Sequence, residues 1–220
     1  MLEAEAVRLR DILLGQGGVS PLLNLGSSTA VFRTVTQPHI ERRLFGPLAQ
    51  AGLDVVHADL KQGEGVDFSG DILDPEIRAA LERRGFKAVL VANLLEHVRD
   101  PRAVAAAIEQ VVKPSGLILV TVPSSYPYHA DPIDTGLRPS PAALAGLFAG
   151  SEPVLLEELE GPSYAEEMHA RGTGPWRAFA LTLAALALAR PRSFAARVHR
   201  WRWYRRPYRI SIALLRVKET

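Results

Sequence analysis

The chain has 220 residues, enough for one good core, and its 47% hydrophobic and 23% charged content exclude wholesale disorder. It has no cysteine, which excludes disulfides and thiolate metal sites and fits a reducing compartment. The net charge of +2 conceals an asymmetry. From Met168 to Lys218 there is no Asp or Glu but twelve Arg and Lys, so this stretch carries +12; the remainder, with 24 acids against 14 bases, carries −10. Such a split points to an acidic partner or surface for the C-terminal part. The opening residues Leu2–Arg8 mix charges and lack an apolar segment followed by a cleavage site, so no signal peptide is expected.

Leu2, Ala6, Leu9, Ile12 and Leu13 recur at helical spacing, and Gly15-Gln16-Gly17-Gly18 ends that helix. The apolar run Leu22–Leu25 then stops at Gly26 and gives way to Ser27-Ser28-Thr29-Ala30. This reads as a buried first strand ending in a tight turn, where small residues let a ligand approach the main chain. A helix is predicted over His39–Ala51, closed by Gly52 and kinked or split at Gly46-Pro47. Leu53–Ala58 is a second strand with Asp59 at its C-terminal end. A Gly-rich link, too short for a helix, leads to Val66-Asp67-Phe68 and Ser69-Gly70-Asp71, and Pro75–Arg84 is a compact helix.

Lys87–Asn93 is the strongest strand, apolar enough to be central and buried on both faces. Pro101–Val112 is a helix, and Lys113-Pro114-Ser115-Gly116 turns into the strand Leu117–Val122. The loop Pro123–Pro139, rich in Pro, Tyr and His, is too long and polar for a mere connector. Ser140–Ala149 is read as a helix, Val154–Leu159 as a strand, 161–207 as a helical, basic insertion and Tyr208–Val217 as the last strand. Strands alternating with helices imply a single domain over 1–220 built on a largely parallel, doubly wound sheet.

In such sheets ligands bind beyond the carboxyl ends of the strands. Gly26, Asp59, Asp71 and the turn Asn93-Leu94-Leu95-Glu96-His97-Val98 all fall there. The Asp59 carboxylate offers two acceptor oxygens to a pair of ribose hydroxyls, or is a solvated loop acid. Asp71 accepts from an adenine amino group or caps the turn before Pro75.

The order of these motifs resembles the class I S-adenosylmethionine-dependent methyltransferases, of the small-molecule type whose fourth strand ends in a Leu-Glu-His-Val turn. The resemblance is carried by Leu22–Ala30, Asp59, Val66–Asp71, Val89–Pro101 and Val111–Pro123, and covers residues 20 to 160 and the final strand. It implies a Rossmann-like, seven-stranded sheet, mostly parallel with the last strand antiparallel, and S-adenosylmethionine across the ends of strands one, two and four. By position, Asn24, Gly26 and Ser28 border the methionine part, Asp59 with Leu60 holds the ribose, Asp71 with Ile72 flanks the adenine, and Asn93 with Leu94 lines the floor. The family usually has an acid where Asn24 stands and glycines where Ser28 and Ala30 stand.

Methyl transfer needs the nucleophile held close and in line, and a base only for a poorly acidic hydroxyl. His129, in the loop after the fifth strand, is the expected base because its ordinary pKa lies near neutrality. His129, Asp131 and Asp134 together also form a candidate divalent-metal group, though turn-forming acids beside proline explain both carboxylates more simply. His97 is read as a capping or cross-turn residue, and Arg138 as a holder of an anionic substrate or a solvated charge. The function expected is S-adenosylmethionine-dependent O-methylation of a small molecule such as a sugar, glycan precursor or secondary metabolite. The alternative is a non-catalytic binding or assembly module. Nucleic acid is the weakest option, since no Pro-Pro-Tyr segment follows Asn93. The stretch 176–209 is read either as a lid or homodimer element or as a contact with a membrane surface or acidic partner, in a cytoplasmic protein.

Overall fold

The computed structural model describes residues 1–129, 133–170, 172, 180, 183 and 198–219. Along the chain the elements are α1 (Glu3–Gly15), β1 (Leu22–Leu25), α2 (Pro38–Ile40), α3 (Gly46–Gln50), β2 (Val55–Asp59), β3 (Phe68–Ser69), α4 (Pro75–Glu82), β4 (Phe86–Ala92), α5 (Pro101–Val111), β5 (Val112–Ser125), α6 (Pro141–Ala145), β6 (Ser151–Ser163), α7 (Tyr164–Ala170) and β7 (Pro207–Val217). The strands form one sheet in the order β3-β2-β1-β4-β5-β7-β6. β1, β2, β3, β4 and β5 run parallel, and β7 lies antiparallel between β5 and β6. This is the seven-stranded, doubly wound sheet expected.

The sheet is buried on both faces because its strands alternate between two apolar layers. Leu23, Leu25, Val89, Val91, Ile118 and Val120 pack on one side with α5 and α6 residues such as Val104, Ile108 and Leu144. Leu22, Ala88, Leu90, Leu119, Ile212 and Leu214 pack on the other with Ala6, Leu9, Leu13, Leu44 and Leu48. α5 buries Val104, Ala105, Ala107, Ile108 and Val111, one stripe of a 3.6-residue period, and Asp100 caps it by accepting from Arg102 N and Ala103 N.

Several elements differ from the sequence reading, each for a local reason. The helix expected over 39–51, kinked or split at Gly46-Pro47, does break there, with α3 beginning at Gly46, and upstream it divides further into α2 and a π-helical turn over Glu41–Phe45. Pro47 has no N–H, and just before it Gly46 N bonds to the Glu41 carbonyl, five residues back. Lys113–Gly116 is not a turn before the fifth strand but an irregularity inside β5, where the register with β4 jumps from Phe86↔Val112 to Ala88↔Leu117 and Ser115 takes φ 63°. β5 also runs on to Ser125, shortening the following loop. α6 stops at Ala145 rather than at 149, and β6 extends to Ser163 through its ladder with β7, into residues expected to open the insertion. The link between Asp59 and β3 contains no helix, as expected. Most of the stretch 176–209 lies outside the described residues. Among the described residues no helix is long and apolar enough to cross a membrane.

Candidate active site

Chain order in the sheet reverses between β1 and β4, and there the loops at the strands' carboxyl ends part around a cavity of about 760 Å³. One end of it is built on the β1 turn. Gly26 has φ 76°, which strains any residue with a side chain, and a Cβ there would stand a tight 3.1 Å from Leu94 Cδ1. Ser28 also has positive φ, 51°, a conformation that costs an L residue about 1–2 kcal/mol. Asp59 holds it there: Oδ2 accepts from Ser28 N at 2.7 Å, and Oδ1 accepts from Lys61 N at 2.8 Å. From the other side the buried Arg33 donates from Nη1 to the Ser27 and Ser28 carbonyls at 3.1 and 2.7 Å, and from Nη2 to the Gly65 carbonyl at 2.8 Å. Burial lowers the Arg33 pKa below its ordinary value.

Asn24 is buried and donates from Nδ2 to His57 Nδ1 at 3.0 Å. Burial, with Arg33 nearby, pushes the His57 imidazole down to about 4, so near neutral pH it is the uncharged acceptor this bond needs. The carboxylate absent at Asn24 arrives instead from α1. Glu5 is fully buried; its Oε1 accepts from Asn93 Nδ2 at 2.8 Å and from Thr121 Oγ1 at 2.6 Å, and its Oε2 from Leu2 N at 3.1 Å. Asn93, with φ 53°, is a residue type that tolerates the left-handed region.

The other end lies beyond β4 and β5. The rings of His97 and His129 meet edge to face with centroids 5.0 Å apart, and Tyr126 stands 5.2 Å from His129 and 4.6 Å from Tyr208. His97 Nδ1 faces the Ile133 carbonyl oxygen, and His129 Nδ1 faces that of Pro127 at 3.3 Å. A carbonyl only accepts, so each Nδ1 carries a hydrogen, and in the neutral ring Nε2 keeps the lone pair. Burial lowers the His129 pKa, keeping the ring neutral. Burial acts to raise the Asp134 carboxyl, but hydrogen bonds from Arg138, His129 N and Gly136 N outweigh it and hold it at about 2. Glu96 is fully buried, and desolvation pushes its carboxyl up to about 8.

Of the residues singled out in the sequence, Asn24, Gly26, Ser28, Asp59, Asn93, Leu94 and His129 line this one cavity, with His97 and Glu5. Leu60, Asp71 and Ile72 do not. Leu60 is 72% exposed, Ile72 is part of the core, and the Asp71 carboxylate accepts from Leu73 N at 2.9 Å, closing the turn into α4. The cap of α4 is Asp74, which accepts from Glu76 N. The metal grouping of His129, Asp131 and Asp134 is not what the structure offers: Asp134 is engaged by Arg138 at 2.7 and 3.1 Å and by two backbone amides, and Asp131 lies outside the described residues. That pairing also takes up Arg138, expected to hold an anion or stand in solvent. Glu5, Arg33 and Glu96 were not anticipated. Glu5 had a signal, being a carboxylate three residues after Leu2 and four before Leu9, on the apolar stripe of its own helix; Glu96 lay in the Leu-Glu-His-Val turn already set at the strand ends, though no pattern marked its burial, and Arg33 had no local signal.

No protein-family model matches the sequence, and no curated protein matches it. Solved structures do match. A putative sarcosine dimethylglycine methyltransferase from Galdieria sulphuraria aligns over 99% of this chain and 86% of its own, with 13% identity and a TM-score of 0.59. A putative methyltransferase from Bacillus halodurans aligns over 99% of both chains, with 14% identity and a TM-score of 0.55. The cyclase SpnF aligns over 97% of this chain and 81% of its own, with 18% identity and a TM-score of 0.56, a reminder that one fold hosts more than one chemistry. Strand order, the antiparallel β7 and these likenesses together give the chain the fold of the class I S-adenosylmethionine-dependent methyltransferases.

Proposed function

We propose that the protein binds S-adenosylmethionine over the Gly26 turn and transfers its methyl group to an oxygen of a small molecule held beside Tyr126, His129 and Tyr208. The observation that carries this reading is the single cavity, about 760 Å³, that joins the glycine turn and Asp59 to the aromatic loop after β5. That volume suits a cofactor with a small acceptor. The residues fit the group. Each Asp59 oxygen receives one backbone hydrogen bond and keeps a lone pair for a ribose hydroxyl, and Glu5 brings a carboxylate to the cavity wall where an ammonium would need one. When bound, the cofactor supplies an electrophilic methyl on a sulfonium.

The protein's own contribution is alignment and proton management. The walls hold the acceptor against the cofactor, and the His129 Nε2 lone pair takes the hydroxyl proton. Glu166, Glu167 and Ala170 of α7 belong to the same wall.

A second reading, a non-catalytic relative, is favoured by Ser28 and Asn24, which replace a glycine and an acid at the cofactor end. Calorimetric titration with S-adenosylhomocysteine separates the two. Binding by the wild type with a loss of about 1–3 kcal/mol in Asp59→Ala supports the methyltransferase. Full affinity in Asp59→Ala removes the ribose assignment, and no binding by the wild type leaves the non-catalytic module.

A further inference from the structure

Glu96 is explained neither by the fold nor by the cofactor end. Its side chain is fully buried, and neither Oε1 nor Oε2 has a hydrogen-bond partner, whereas a buried carboxylate is ordinarily paired or metal-bound. Oε1 lies 3.7 Å from His97 Nε2. One potential ligand atom from each of Glu96, His97 and His129 lies within 4.8 Å of the other two. Both imidazoles are oriented alike, Nδ1–H toward a backbone carbonyl, which is the arrangement that fixes a metal-binding histidine with its Nε2 lone pair outward. The cluster is braced across two loops, since Thr135 donates to the Glu96 carbonyl from both N and Oγ1, at 2.9 and 3.1 Å. The neighbouring cation, Arg138, is neutralised by Asp134.

We propose that Glu96, His97 and His129 bind one divalent transition-metal ion at the acceptor end of the cavity, leaving coordination positions open to an oxygen donor of the acceptor. Two imidazoles and one carboxylate suit Zn²⁺, Mn²⁺, Fe²⁺ or Co²⁺ rather than Ca²⁺ or Mg²⁺, which prefer all-oxygen sites. Metal–ligand bonds of about 2.1 Å at tetrahedral angles put ligands roughly 3.4 Å apart, so the ligand atoms, within 4.8 Å of one another, close onto an ion by side-chain rotations. His97 and His129 line the cavity together with Tyr126, whereas Glu96 lies outside its lining.

The consequence for catalysis rests on the methyl-transfer reading above. The acceptor hydroxyl ligates the ion and releases its proton to water; its oxygen then forms the new O–C bond as the S–C bond breaks, and the thioether departs with both electrons of that bond. With the ion bound, the His129 Nε2 lone pair is a ligand, and the ion takes over the part of the base assigned to His129 above.

Full-length, tag-free protein, stripped with EDTA and dialysed, is titrated with Zn²⁺ by calorimetry and with Co²⁺ by visible absorption, with S-adenosylhomocysteine affinity measured on the same samples. One equivalent should bind with visible Co²⁺ bands. Glu96→Gln and His129→Ala should each weaken uptake by about tenfold or more while retaining the wild-type near-ultraviolet dichroism that reports an intact fold. Acetohydroxamate, a bidentate oxygen donor, should shift the Co²⁺ bands. No stoichiometric uptake by the wild type, or wild-type uptake by both variants, overturns the site, and bands unmoved by acetohydroxamate overturn its open positions. Metal uptake without S-adenosylhomocysteine binding sinks the cofactor reading and leaves the metal site standing; the reverse result does the opposite.

Discussion

The two ends of the cavity are built on opposite principles. At the cofactor end the acids and Asn24 are answered, Asp59 by two amides, Glu5 by an amide, a hydroxyl and a backbone N–H, and Asn24 by a neutral imidazole, while of Arg33 the Nε alone lacks a partner. At the acceptor end Glu96 is buried with both oxygens unanswered, beside two imidazoles that keep a lone pair free. A satisfied network rigidifies and fixes one geometry, whereas an unsatisfied one stores cost that a ligand can relieve. The first end is suited to holding the same molecule in every cycle, and the second to receiving something not yet there.

Removing the two buried glutamates should therefore shift stability in opposite directions. Glu5→Ala leaves the Asn93 amide and the Thr121 hydroxyl without their acceptor and should cost about 2–4 kcal/mol in urea unfolding. Glu96→Met, of similar shape and without polar atoms, should raise the stability of the metal-free protein by about 1–3 kcal/mol. If both substitutions destabilise alike, the contrast between the ends is wrong.

His57 sharpens the comparison through pH. Its unfolded imidazole takes a proton near pH 6.5, the folded one only near about 4. A depressed pKa means the unfolded chain binds the proton first as pH falls. The contribution is thus complete above pH 6.5 and is lost between there and 4, by as much as about 3 kcal/mol. The charged groups facing it act in opposite senses, Arg33 reinforcing the depression and Asp67 opposing it. In His57→Gln the urea midpoint should fall less steeply over that window, and equal slopes in the two proteins would assign the acid sensitivity elsewhere.

What the sequence disclosed follows the range of the forces involved. Strand-to-strand burial is written in consecutive residues, so Leu22–Leu25, Lys87–Asn93 and Tyr208–Val217 announced the sheet, and of the residues gathered by the strand-end rule Gly26, Asp59 and Asn93 share one cavity while Asp71 does not. Pairing between distant elements is not written locally. Glu5 meets Thr121 across 116 positions, which only the closed sheet makes neighbours. The Asp134–Arg138 pair, by contrast, is local, four residues apart, and it takes up a carboxylate and a guanidinium whose roles the sequence leaves open. Asp71 follows the second of its two readings, its carboxylate accepting from Leu73 N in the turn before Pro75.

The smallest effect tests the most visible departure from the family pattern. Ser28 occupies a glycine position at φ 51°, a conformation that costs an L residue about 1–2 kcal/mol, while glycine forfeits about 0.5–1 kcal/mol of extra chain entropy on folding. The Asp59 bond runs to the Ser28 backbone N–H and survives the change. Ser28→Gly should therefore stabilise the protein by about 0.5 kcal/mol, seen as a small rise in the urea midpoint at constant slope. A destabilised variant would show that the serine hydroxyl, rather than the backbone alone, holds the turn, and that the cofactor end has been rebuilt around it instead of merely enduring it.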